Sequence, residues 1–157
     1  MRRQEREIRD FSEILSIIER SPVLRLGMVD DGEPYVVPLN FGYTAEDGQL
    51  TFYIHSAAEG RKIDILTKSP RVCFELDTSF NLIRHELPCR WSAEYESVIG
   101  TGTVTFLTDS AEKKAALDHI MHRYGFEGHP VYNEQALERA CLYKITVSQL
   151  TGKRNLL

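Results

Sequence analysis

The chain has little of what marks the commonest functional classes. Its 157 residues hold three cysteines, Cys73, Cys89 and Cys141, an odd number with no CxxC spacing, which excludes a disulfide framework and a zinc ribbon. Two of the three sit in apolar, strand-like surroundings and read as reduced core residues. Positive charge is not in excess: 19 Lys and Arg stand against 23 Asp and Glu, a net −4 with a pI near 5.7. A nucleic-acid partner would normally demand a basic face. Arg2, Arg3, Arg6 and Arg9 are interleaved with Glu5, Glu7 and Asp10, so they form no basic arm. No apolar run reaches membrane-spanning length and the N-terminus lacks a signal-peptide core, so the expectation is a cytoplasmic protein.

Sequence motifs are equally sparse. GxxxxGK[ST] and GxGxxG are absent, which argues against nucleoside triphosphate and NAD-type sites, and there is no GxSxG elbow for acyl transfer. His119 and His122 lie three apart, and His85 precedes Cys89 by four, but neither pair has a second ligand pair, so no metal site is expected.

What remains is ordinary for one soluble domain spanning 1–157: 42% hydrophobic and 27% charged residues. Ile14, Leu15, Ile17 and Ile18 give an amphipathic helix ending at Ser21-Pro22. The turns Asp30-Asp31-Gly32-Glu33 and Glu46-Asp47-Gly48 separate strands over Val23–Val29, Pro34–Tyr43 and Leu50–Ile54. A helix over Glu59–Thr67 precedes a strand over Arg71–Asp77, in which Val72, Phe74 and Leu76 alternate with polar neighbours. Thr78–Ser92 has weak periodicity and reads as a long loop. Tyr95–Leu107 is a strand interrupted by Gly100 and Gly102. A helix capped at Asp109 or Ser110 runs to Tyr124, a shorter one covers Asn133–Ala140, and Cys141–Val147 returns as the last strand. The expectation is a mainly β fold with flanking helices, a six-stranded Greek-key barrel.

One stretch carries chemistry. At Tyr53-Ile54-His55-Ser56-Ala57-Ala58-Glu59-Gly60-Arg61-Lys62 a strand breaks into a polar turn and then a helix opening on two cations. Free N–H groups and the helix dipole stabilise an anion there, with Ser56 and His55 as hydrogen-bond donors and Arg61 and Lys62 as charged ones. The bland alternative is a solvated helix start with an ordinary turn serine. Phe41, Tyr43, Tyr53, Trp91 and Tyr95 are suited to core or interface packing. A phosphate cradle beside an aromatic-rich sheet also suits a flat ring with a phosphate tail, and flavin mononucleotide (FMN) meets that description.

The blocks Val23–Tyr43, Tyr53-Ile54-His55-Ser56-Ala57 with Gly60-Arg61-Lys62-Ile63-Asp64, and Tyr95-Glu96-Ser97-Val98-Ile99-Gly100-Thr101-Gly102 resemble the FMN-binding split-barrel proteins. Within them they are similar to the nitroimidazole-resistance branch related to pyridoxamine 5′-phosphate oxidase, and the resemblance runs from Ser21 to Arg154. It implies a split β-barrel, a homodimer with FMN at the interface, and a small-molecule substrate. His55, Ser56, Arg61 and Lys62 then correspond to phosphate contacts, Val37, Pro38, Leu39 and Asn40 to the strand along the flavin edge, and Ser97 and Val98 to a later strand near the cofactor. Arg61 stands where family sequences often carry His at the substrate side, a departure that favours anion binding over nitroimidazole reduction. The implied activity is an oxidoreductase passing electrons from a nicotinamide donor through FMN. The alternatives are a non-catalytic flavin carrier or redox sensor, and the same barrel used for haem or a deazaflavin.

Overall fold

A computed structural model of the protein describes residues 3–155, so Arg2 lies outside the described residues. Among the described residues, three of the four α-helices begin where a short polar side chain caps them. Asp10 accepts from the N–H of Ser12 at 2.7 Å and opens α1 (Phe11–Arg20), whose buried face is Ile14, Ile17 and Ile18. Asp109 caps α3 (Ser110–Arg123), and Asn133 caps α4 (Glu134–Arg139). The fourth helix, α2 (Arg61–Lys68), starts on Gly60 with no side-chain cap. No helix among the described residues is long and apolar enough to cross a membrane.

Eight strands form one sheet: β1 (Glu7–Ile8), β2 (Leu24–Asp30), β3 (Glu33–Leu39), β4 (Gly42–Glu46), β5 (Gln49–Ser56), β6 (Arg71–Ile83), β7 (Ser92–Phe106) and β8 (Cys141–Asn155). The β2–β3 and β4–β5 hairpins turn on Asp31-Gly32 and Asp47-Gly48, all four residues at positive φ. Such turns match the twist of the flanking strands. Strand order is β3-β2-β6-β7-β8-β5-β4, with β1 added to the far end of β8.

The two ends of that order, β3 and β4, are consecutive in the chain and joined only by Asn40 and Phe41. Leu39 and Gly42 are three peptide units apart, at most ~11 Å, whereas the ends of a flat seven-strand path would lie ~29 Å apart. The sheet therefore rolls up around Leu26, Phe52, Ile54, Phe74, Leu76 and Val98, all buried. It stays open along one seam, because no ladder joins β3 to β4 among the described residues.

This corrects the six-strand count. Pro34–Tyr43 breaks into β3 and β4, and Glu7–Ile8 adds a short strand. The expected loop at 78–92 is also mostly strand: β6 continues to Ile83 and β7 starts at Ser92. A register shift between Thr78 and Phe80 interrupts the alternation, which is why the sequence pattern fades there. β8 runs past Val147 to Asn155, with a second shift opposite Thr101 and Gly102. Of the three cysteines, Cys141 packs against the core, and Cys73 and Cys89 do not. Cys73 and Cys89 are exposed and Cys141 is half-buried, Cys73 because its strand turns Val72 and Phe74 inward and it outward.

Candidate functional site

Gly60, at φ +124°, turns the chain from β5 into α2, and its carbonyl takes the N–H groups of Ile63 (2.8 Å) and Asp64 (3.2 Å). A side chain at that N-cap would ordinarily satisfy a first-turn donor; glycine brings none, so the helix end is left to other acceptors. Lys62 stands in that first turn, half-buried, with no ion pair among the described residues. Burial holds its ammonium below the usual lysine range, opposed by the neighbouring Cys141 thiol. Burial in turn pushes the Cys141 thiol up. Ser56 pairs with Cys141 across β5 and β8, so Ser56, Cys141 and Lys62 gather at one end of the barrel.

Arg61 is placed differently. Its Nε donates to Asp30 Oδ2 at 2.9 Å and its guanidinium lies 4.4 Å from the centre of the Tyr35 ring. Both partners belong to the β2–β3 hairpin, so Arg61 ties the start of α2 to that hairpin.

Among the described residues β3 pairs only with β2, so its other edge has no ladder partner there. Pro34 and Pro38 share one register of that strand, and a residue without an N–H belongs where no ladder bond is required. Val37 and Leu39 lean on the core, half-buried, while Pro38 and Asn40 are exposed. The following link is clamped by the end of α3. The Phe41 N–H donates to Tyr124 Oη at 3.3 Å, and Tyr124 Oη donates to the Pro22 carbonyl at 3.0 Å. Arg123 lies 4.1 Å over the buried Phe41 ring and donates to the carbonyls of Ile18 (2.9 Å) and Ser21 (2.6 Å). Asn40 is thus carried next to a rigid anchor.

The remaining expected residues are not gathered with these. Successive strand residues face opposite ways, so His55 points away from Ser56. It lines a small cavity of about 150 Å³ under α4 with Leu117, Tyr132 and Leu137. Ser97 and Val98 lie in β7, paired on both sides; Val98 is buried in the core and only Ser97, half-buried, faces outward. Of the two helix histidines, His119 stacks on Tyr53 at 5.0 Å, and His122 Nε2 sits 2.8 Å from the Gly128 carbonyl. Among the described residues no cluster of three metal-ligating side chains occurs. Asp30 and Tyr35 were not singled out from the sequence: nothing local to them signals a helix thirty residues on.

Residues 10–154 match the family described as pyridoxamine 5′-phosphate oxidase, so the chain belongs to that family. Among curated proteins none matches it. Among solved structures it is similar to a protein of Bacteroides thetaiotaomicron VPI-5482 proposed as a 5-nitroimidazole antibiotic resistance protein. The two are 36% identical with a TM-score of 0.83, covering 94% of this chain and 86% of that one. The flavocytochrome Anf3 of Azotobacter vinelandii shares the fold at 18% identity and a TM-score of 0.80, over 100% of this chain and 72% of that one. An FAD and haem binding protein of Mycobacterium smegmatis does so at 15% and 0.83, over 96% and 73%.

Proposed function

We propose that this member of the pyridoxamine 5′-phosphate oxidase family binds FMN and works as an oxidoreductase on a small molecule. The observation that carries the reading is the uncapped start of α2 beside an unpaired, half-buried Lys62. A buried ammonium without a counter-charge is costly, and a phosphate placed at the helix end would relieve that cost and satisfy the free N–H groups together. The residues present therefore fit a phosphate-bearing flavin.

In this reading Ser56, Lys62 and the first N–H groups of α2 hold the phosphate. The free edge of β3 from Val37 to Asn40 offers backbone groups to the ring system. Arg61, tethered by Asp30 and Tyr35, stands at the substrate side and attracts an anionic or aromatic molecule. Ser97 faces the outer surface, where a second copy in a homodimer would bring it to the partner's ligand; His55 and Val98 are left without a direct role. The chemistry FMN supplies when bound is two-electron transfer from a nicotinamide donor to the substrate. FMN is preferred to FAD because the relatives that bind FAD share only the fold.

The test is the visible absorbance spectrum of the purified protein with chromatography of the ligand released on denaturation. Two flavin bands and FMN in the extract are expected; a colourless protein that takes up no added FMN would overturn the reading. A pH titration adds a sharper check. Because burial lowers the Lys62 pKa and a bound phosphate would raise it, affinity for FMN should fall as pH rises through the free-protein value, below the usual lysine range. Lys62→Arg should flatten that fall, since a guanidinium stays charged throughout. Equal pH profiles by fluorescence titration would mean that Lys62 does not meet the phosphate.

A further inference from the structure

We propose that Arg6, Lys153 and the Tyr95 hydroxyl form a second anion site, built across β1, β8 and β7, that takes an oxyanion group, phosphate or carboxylate, of a small molecule. None of the three is assigned to FMN above, and the start of α2 is no part of it.

The strand register decides which side chains meet. Ile8, Gly152 and Val98 form one row across β1, β8 and β7, and all three are buried. The neighbouring row, Glu7, Lys153 and Ser97, therefore takes the opposite face. Tyr95, two residues from Ser97 and opposite Asn155, shares that face. Lys153 Nζ lies 5.4 Å over the Tyr95 ring, and Arg6 Nη1 donates to Tyr95 Oη at 3.4 Å. Arg6 closes a single 3-10 turn (Gln4–Arg6) directly before β1, so the short ladder that seats Ile8 in the core also places Arg6.

What singles out this pair of cations is the want of an acid. The carboxylates nearest in register are spent elsewhere. Glu7, opposite Lys153, bonds Arg9 at 3.1 Å; Glu13 bonds Arg154 at 2.7 Å; Glu96, beside Tyr95, turns inward to Arg20 at 2.7 Å. Arg6 and Lys153, both half-buried, have no ion pair among the described residues, in a chain whose net charge is −4. Two like charges converging on one neutral hydroxyl repel each other, and an oxyanion set between them replaces that repulsion with charge-assisted hydrogen bonds. Because Tyr95 Oη accepts from Arg6, its own O–H remains to donate, so an incoming anion meets three donors. Next to them lies a hollow of about 350 Å³ lined by Glu5, Arg6, Arg154 and Asn155. Glu5 is the acid on its wall, which sets the anion at the Arg6 end, toward Lys153. Two cations and one neutral donor match a dianion better than a monoanion, so phosphate should bind more tightly than carboxylate.

Tyr95 reports on the site. Burial pushes its phenol up, but Lys153 and Arg6 outweigh burial and hold it below the usual tyrosine range. An anion bound between the cations offsets them and moves the phenol back up. Affinity for the anion should accordingly fall as pH rises through the Tyr95 value, where a phenolate would repel it.

Tyrosinate absorbance, read as the difference between the wild-type protein and Tyr95→Phe, tests the proposal. One tyrosine should ionise early, and inorganic phosphate should shift it upward, acetate less so, at an ionic strength held constant with chloride. Arg6→Ala with Lys153→Ala should weaken phosphate binding roughly tenfold or more, with circular dichroism and FMN affinity unchanged. A Tyr95 titration indifferent to phosphate, or a shift that survives loss of both cations, would overturn the site. A shift lost in Lys62→Ala instead would move the anion to the start of α2, overturning the second site while leaving the FMN reading standing. A fall in FMN affinity in the Arg6 and Lys153 double variant would overturn its independence from the flavin.

Discussion

Replacing Arg61 and Lys62 together by alanine is expected to weaken FMN binding by more than tenfold while leaving the fold intact. Hydrogen bonds to charged groups are worth roughly 1.5–3 kcal/mol each, and a tenfold loss needs only about 1.4 kcal/mol. The two residues should not share the effect equally. Lys62 is half-buried and unpaired, so a phosphate contact costs it no existing partner. Arg61 already bonds Asp30 at 2.9 Å and covers Tyr35, with its side chain 55% exposed. Moving it to a phosphate would sacrifice that pair, and an exposed ion pair contributes at most about 1 kcal/mol. Lys62→Ala alone should therefore reproduce most of the double variant's loss, and Arg61→Ala should chiefly raise KM for an anionic substrate. Fluorescence titration with FMN reads the first and steady-state kinetics the second. An unchanged FMN affinity in the double variant would return the helix start to ordinary surface.

Much of the fold is legible because its signals are local. Asp31-Gly32 and Asp47-Gly48 announce their hairpins through positive-φ chemistry that few other residues tolerate. Asp109 announces α3 by capping it, and Ile14, Ile17 and Ile18 announce α1 by their shared face. Val72, Phe74 and Leu76 announce a strand with one buried face. What escaped depends on distant neighbours. The extra residue between Thr78 and Phe80 erases the alternation by which its own strand would be recognised. The break at Asn40-Phe41 has only a lone Asn and no glycine to mark it; the end of α3, some eighty residues later, clamps it through Tyr124 and Arg123. Cys73 is exposed by parity, since an apolar neighbourhood in sequence does not say which face of a strand a residue takes.

The candidate site divides the same way. The start of α2 is a contiguous segment, and glycine before two cations is visible in the sequence. The opposed directions of His55 and Ser56 follow from period two alone and separate two residues that adjacency had joined. The attachment of Arg61 to Asp30 and Tyr35 has no local signature, because both partners lie some thirty residues away in another hairpin.

Gly42→Ala is a small change expected to do large damage to stability. A Cβ at Gly42 would lie 2.6 Å from the backbone C of His119 and 2.6 Å from the N of Ile120, and 2.9 Å from the His119 Cβ. The two nearest are main-chain atoms inside α3, so no side-chain rotation relieves the clash, and the helix or the β4 strand must shift. Overpacking of this kind costs typically 1–3 kcal/mol, and the rigid neighbours place it near the upper end, about 3 kcal/mol. At this chain length that is a fall in Tm of roughly 6–12 °C. Gly48→Ala makes the control: nothing lies within 4 Å of its added Cβ, although its φ of +78° is left-handed. Strain alone should cost it roughly 1–2 kcal/mol. The difference between the two variants isolates the clash. Gly42 also begins β4 immediately after the link that brings the two sheet ends together, so a shift there displaces Asn40 and the free edge of β3 as well. FMN affinity should then drop in Gly42→Ala even well below its Tm, and stay unchanged in Gly48→Ala. Loss of stability in Gly42→Ala without loss of FMN affinity would separate the α3 clamp from the ligand edge and remove the link from the binding site.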